Sequence, residues 1–251
     1  MNRRACLFAL ALTFGSAVAA APPRDLTVSA AASLQNAMRE IGLAFQRAHP
    51  ETAVHFNFGA SGSLLAQLAQ GAPVDVFASA DPQTMDRAQA SRLIDAGTRV
   101  DFAATELVLV SPRSRAASFK SLDDLQRADV RHIAIGTPAS VPAGRYAKDA
   151  LERSGLWPAL APKLVFAANV RQALDYVSRG EVDAAFVYRT DARVDPDTVR
   201  VDFPVAAADP VRYPLARVAG GANPRDADAF ITFVTRAPGQ AVLARHGFAP
   251  P

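Results

Sequence analysis

LTVSAAASLQNAMREIGLAFQRAHPETAVHFNFGASGSLLAQLAQGAPVDVFA, residues 26–78, alternates between two periodicities, and that alternation decides the fold class. Leu26-Thr27-Val28-Ser29-Ala30 has the length and composition of a short strand. After Ser33 the apolar positions Leu34, Met38, Ile41, Phe45 and Ala48 recur at helical spacing until His49-Pro50 stops them. Ala53 to Phe58 reads as a second strand, and Gly59-Ala60-Ser61-Gly62 as a turn. Leu64, Leu65 and Leu68 then open a helix that Gly71 closes, ahead of a third strand at Val74–Ala78 and a helix near Pro82–Ala90. Strands separated by helices at this interval predict βαβ units and a mainly parallel sheet.

The same grammar continues outward. Glu106–Val110 reads as a strand, and Ser121 with Asp124 three residues on marks a short capped helix. His132–Gly136 reads as a strand, followed by a helix opened by Pro142 and ended at Gly155. Lys163–Phe166 is the next strand, then a helix led by Asn169, then the apolar strand Ala184–Tyr188. The charged run Asp191–Arg200 reads as a solvated loop. Pro214–Val218 predicts a strand, with helices around Asp226–Thr235 and Gln240–Arg245. No repeat or Gly/Ser linker divides the chain. The expected organisation is α/β, in two lobes joined by strands near Ala103–Thr105 and Leu215–Val218, with residues 22–103 and 219–251 in the first lobe and 104–218 in the second.

The chain has 251 residues, with 27 Lys+Arg against 24 Asp+Glu, one Cys and half its residues apolar. That composition excludes intrinsic disorder and any disulfide scaffold or cysteine-cluster metal site. Residues 1–21 carry Arg3-Arg4, an apolar run and a small-residue exit at Ala17–Ala21, the three parts of a secretory signal peptide. The apolar run is shorter than the ~20 residues of a membrane-spanning helix. Cys6 lies ahead of that run, badly placed for a lipid-modified N-terminus. Without residues 1–21 the balance is 25 basic to 24 acidic, with no cysteine. Near-neutrality gives no electrostatic case for nucleic acid or an anionic membrane, and export without disulfides suits a periplasm.

Four loop–helix junctions, at Ser33, Ser61, Pro142-Ala143 and Asn169-Val170, present the unpartnered N–H groups of a helix start, where the macrodipole favours an anion. Pro142 has no N–H, so Ala143 supplies the first free donor of its turn. A Ser or Asn before a helix more often only caps it, worth about 1 kcal/mol. Tyr188, ending an apolar strand, is by default a core tyrosine. All five positions nevertheless fall at the carboxyl ends of strands, where open α/β sheets bind ligands. Enzyme patterns are weak. Gly59-Ala60-Ser61-Gly62-Ser63 departs from G-x-S-x-G, and His49, His55, His132 and His246 lack metal-ligand spacing.

Ala31-Ala32-Ser33-Leu34, Phe58-Gly59-Ala60-Ser61-Gly62-Ser63-Leu64, Gly71-Ala72-Pro73-Val74-Asp75-Val76-Phe77, Val141–Ala147 and Val187-Tyr188 together resemble the periplasmic molybdate-binding proteins of ABC importers. The resemblance runs over essentially the whole chain beyond the signal. It implies a two-lobed periplasmic-binding-protein fold of type II, with the oxyanion between the lobes. It further implies molybdate or tungstate as ligand, no catalysis, no cofactor, a membrane permease as partner and a monomer in the periplasm. By position it implies contacts from the hydroxyls of Ser33, Ser61 and Tyr188 and the backbone N–H groups of Ala143 and Val170. Ser63 is the alternative to Ser61. No metal is held by side chains directly, since molybdenum would arrive as its oxyanion. Such a donor-only shell has no acceptor for the proton of hydrogen phosphate. Other readings are a binder of sulfate on the same scaffold and, with less support, a periplasmic serine hydrolase using Ser33 or Ser61.

Overall fold

The computed structural model describes residues 23–251, so the signal expected at residues 1–21 lies outside the described residues. The first lobe begins with β1 (Arg24–Ala31), α1 (Gln35–Ala48), β2 (Thr52–Gly59), α2 (Ser61–Ala69), β3 (Val76–Ala78), α3 (Pro82–Ala90) and β4 (Val100–Thr105). The chain then crosses into β5 (Leu107–Pro112), β6 (Ile133–Gly136), α4 (Pro142–Arg153), α5 (Trp157–Leu160), β7 (Leu164–Ala167), α6 (Val170–Ser178), β8 (Ala184–Tyr188), α7 (Arg189–Ala192) and β9 (Val199–Pro204). It returns through β10 (Val211–Arg217) and ends with α8 (Pro224–Thr235) and α9 (Ala237–Arg245).

Each lobe is built on one five-stranded sheet, in the orders β2-β1-β3-β10-β4 and β7-β6-β8-β5-β9. β1 runs parallel to β2 and β3, while β10 is antiparallel to both β3 and β4. The second sheet repeats this pattern, with β6 parallel to β7 and β8, and β5 antiparallel to β8 and β9. Four strands of each sheet therefore share one direction. The reversed strand in each is the one that follows a crossing between lobes. β5 and β8 are buried along their whole length, as central strands covered on both faces should be. α1 buries Met38, Ile41 and Phe45, the stripe read from its sequence, and Phe45 meets Phe230 of α8 edge-on at 5.3 Å.

Three expectations need correction. β10 belongs to the first sheet, between β3 and β4, although the division at 104–218 would put it in the second lobe. Its apolar pattern announces a strand and says nothing of which sheet receives it. The second crossing accordingly lies between Pro204 and Val211, ahead of Leu215–Val218. The run Asp191–Arg200 is not simply solvated, because Asp191 is fully buried against Arg171 and Val199 begins β9.

Candidate functional site

The parallel strands of both lobes aim their carboxyl ends at one small cavity. It is lined by residues following β1 (Ala31, Ala32, Ser33), β2 (Gly59, Ala60, Ser61), β3 (Ala80), β6 (Val141, Pro142, Ala143) and β7 (Asn169, Val170), and by Tyr188 ending β8. All five residues expected at the site are on this wall and all are buried. The cavity leaves about 10 Å³ for the centres of water-sized atoms, room for about one such group and none for an organic solute. Ser63 is exposed and does not line it.

The two serines do not cap their helices. Ser33 lies inside a 3₁₀ turn, Ala32–Leu34, that leads into α1, and Ser61 is the first residue of α2, with Ala60 at the N-cap. Each hydroxyl is instead engaged as an acceptor. Tyr213 Oη donates to Ser33 Oγ at 3.1 Å, and the Ala80 N–H donates to Ser61 Oγ at 3.0 Å. A hydroxyl whose oxygen is already held by a donor keeps its own proton to give. The ordinary capping role is thereby excluded, and both serines become oriented donors at the cavity wall.

The second lobe contributes helix starts. Pro142 is the first residue of α4, so its missing N–H costs nothing and the Ala143 N–H is free. Glycine brings that end close to the sheet, because a side chain on Gly144 would overlap the Gly136 carbonyl of β6. Asn169 is a true N-cap, its side chain accepting from the Gln172 N–H at 3.1 Å, and the Val170 N–H stands first in α6.

Tyr188 and Tyr213 meet edge-on, ring centres 5.8 Å apart. Burial pushes both phenols far above their ordinary pKa, so they remain protonated donors. Tyr188 Oη donates to the Ala80 carbonyl at 3.3 Å, across the cleft. The lining therefore includes a carbonyl acceptor occupied by a phenol, which amends the donor-only shell expected from sequence. None of the thirteen described lining residues carries a formal charge. Such a wall favours an anion through hydroxyl protons and helix-start dipoles.

The lobes are in direct contact beside the cavity. The Gly62 N–H donates to the Ser140 carbonyl at 2.9 Å, and a Cβ at Gly62 would stand 2.8 Å from the Ser140 Cα and oxygen. Sequence reasoning did not single out Ala80, Tyr213 or Ser140, and it read Gly62 as a site of close backbone approach without naming Ser140 as what it approaches. Tyr213 lies 180 residues from the serine it orients, and no local pattern announces that pairing. Among the described residues the Ser33 and Ser61 hydroxyls face Tyr213 and Ala80, while His55 and His246 pair with Asp25 and Glu40.

Comparison with known proteins places the chain in one family. Residues 26–249 match the model of the bacterial extracellular solute-binding protein family. The molybdate-binding protein ModA of Escherichia coli is 36% identical over 228 residues, covering 89% of this chain and 88% of that protein. ModA of Haemophilus influenzae is 32% identical over 228 residues, with 89% of each covered. The solved periplasmic molybdate-binding protein of Azotobacter vinelandii superposes with a TM-score of 0.79 at 24% identity, over 90% of this chain and 99% of that one, a likeness of fold.

Proposed function

The chain belongs to the bacterial extracellular solute-binding protein family, and from that premise we propose that it binds molybdate between its lobes and delivers it to an ABC-type importer. Tungstate, with the same charge and shape, takes the same site. The hydroxyls of Ser33, Ser61 and Tyr188 and the N–H groups of Ala143 and Val170 donate to the oxyanion. One observation carries this reading: donors from both lobes converge on an uncharged, buried cavity at the carboxyl ends of the strands. A buried dianion is tolerable only if its oxygens are hydrogen-bonded throughout. Relatives named for molybdate binding supply the identity of the anion.

The anion meets one lobe and the other closes over it, its contacts favouring the closed form that the permease reads. The role is one of binding and delivery, without catalysis. The protein works as a monomer in the periplasm, where the leader at residues 1–21 would send it.

A melting series tests the reading. Ligand at 100 times its dissociation constant adds about 2.7 kcal/mol to stability. Molybdate and tungstate should raise the melting temperature, while sulfate, whose smaller size lengthens its hydrogen bonds to donors set for the larger anion, should not. A large shift with sulfate and none with molybdate would overturn the proposal. Ester hydrolysis lost in Ser61→Ala would overturn its non-catalytic part.

A further inference from the structure

Two arginines that do not line the cavity bridge the lobes next to it. Arg145 lies two residues beyond Ala143 in α4, and Arg171 lies one residue beyond Val170 in α6. Arg145 pairs with Asp81 of the first lobe and donates to Thr84 Oγ1 at 3.1 Å, both at the start of α3. Asp81 is almost fully buried, and it also accepts from the Thr84 N–H and the Ser79 hydroxyl. Arg171 is anchored in its own lobe by Asp191, Nε to Oδ1 at 2.6 Å. Its other nitrogens donate into the first lobe, to Asn36 Oδ1 at 3.0 Å and the Ser33 carbonyl at 3.2 Å.

We propose that Arg145 and Arg171 are positioning residues that clasp the lobes shut, so that they set how long the anion stays bound without touching it. Each bridge spans the cleft and breaks when the lobes part. Opening costs the two differently. Arg171 keeps Asp191 in either state and gives up only neutral acceptors. Arg145 gives up its cross-lobe carboxylate and retains the Pro138 carbonyl at 3.3 Å. The Arg145 clasp is therefore the one whose opening separates a charge pair. A charge-assisted hydrogen bond lost from the closed form alone raises the escape rate roughly tenfold to a hundredfold. Association, which begins from the open form, changes little.

The effect on residence time rests on the molybdate reading, whereas the effect on lobe closure does not, and the experiment separates them. The chain beyond residue 21 has no cysteine, so Ala69→Cys in α2 and Ala159→Cys in α5 can carry a spin-label pair that reports lobe separation. Arg145→Ala should widen the distance distribution of the ligand-free protein and raise the molybdate off-rate at least tenfold at a nearly unchanged on-rate. Arg145→Lys should restore part of both. Arg171→Ala would strand the buried Asp191, so Asn36→Ala serves in its place, removing one of its two cross-lobe acceptors while the Arg171–Asp191 pair stays. Unchanged label distances and off-rates in both Arg145→Ala and Asn36→Ala would overturn the clasp. Widened distances in variants of a protein that binds no molybdate would uphold the clasp and reject the molybdate reading.

Discussion

The Tyr188 hydroxyl, at the end of β8 in the second lobe, donates to the carbonyl of Ala80, which follows β3 in the first. A phenol has one proton to give, so an anion that receives it displaces the Ala80 carbonyl. At 3.3 Å that internal bond is long and is the readier of the two to be exchanged. Tyr188→Phe should therefore weaken molybdate binding by roughly tenfold to a hundredfold, the worth of one hydrogen bond to a charged group. The melting temperature of the ligand-free variant should hardly move. Titration calorimetry measures the loss, and unchanged affinity would reduce Tyr188 to a packing residue.

Gly62→Ala should block closure without harming either lobe. The added methyl group would stand 2.8 Å from the Ser140 backbone, which belongs to the opposite lobe and cannot rotate away as a side chain could. The ligand-free variant should melt close to the parent protein. Molybdate should no longer reduce its radius of gyration in small-angle scattering, and binding should fall at least as far as in Tyr188→Phe. Normal compaction on adding molybdate would show that the lobes can shut around the methyl group.

Gly144→Ala places the same methyl group inside one lobe, and the consequence should differ. There it would overlap the Gly136 carbonyl, forcing α4 off β6. Overpacking of this kind costs about 1–3 kcal/mol or more. Urea denaturation should register that loss in the ligand-free protein, where Gly62→Ala registers none. Equal stability of the two variants would contradict the distinction.

Arg24 at the start of β1 grips Asp226 in the first turn of α8 with two bonds, at 2.7 and 2.8 Å. Those bonds are the main reason the Asp226 carboxyl is held below its ordinary pKa. A depressed acid stabilises the fold above its unfolded pKa of about 4, and the benefit disappears as pH falls through the folded value. With Arg24 half-exposed, solvent screens the pair and its contribution is small. Asp226→Asn should thus be the less stable protein at pH 7 and nearly equal to the parent at pH 2. A difference that persists at pH 2 would assign the effect to packing.

Much of the site was legible because it consists of chain punctuation. Pro142 opening a helix and Asn169 capping one announce free N–H groups from local sequence alone, and both stand where the pattern put them. The serines were found for a weaker reason. Their residue type suggested caps, yet each hydroxyl is held from elsewhere in the fold. Asp191 was misread among its charged neighbours because its burial is decided by Arg171, twenty residues earlier. The placement of β10 was missed for the same kind of cause: a strand records its own faces, and its neighbours are chosen by the whole fold.

That placement also sets an order of assembly. β10 fills the gap between β3 and β4, so the first sheet stays interrupted until residues 211–217 have been made, while β5 to β9 supply the second sheet from one unbroken stretch, 107–204. The lobe written first in the gene is the one completed last. During synthesis, β4 waits with both edges unpaired while the other lobe can already close its core. The half of the molecule that carries Ser33 and Ser61 is thus the half with the longer exposure to misassembly, and a partner that shields edge strands would act there.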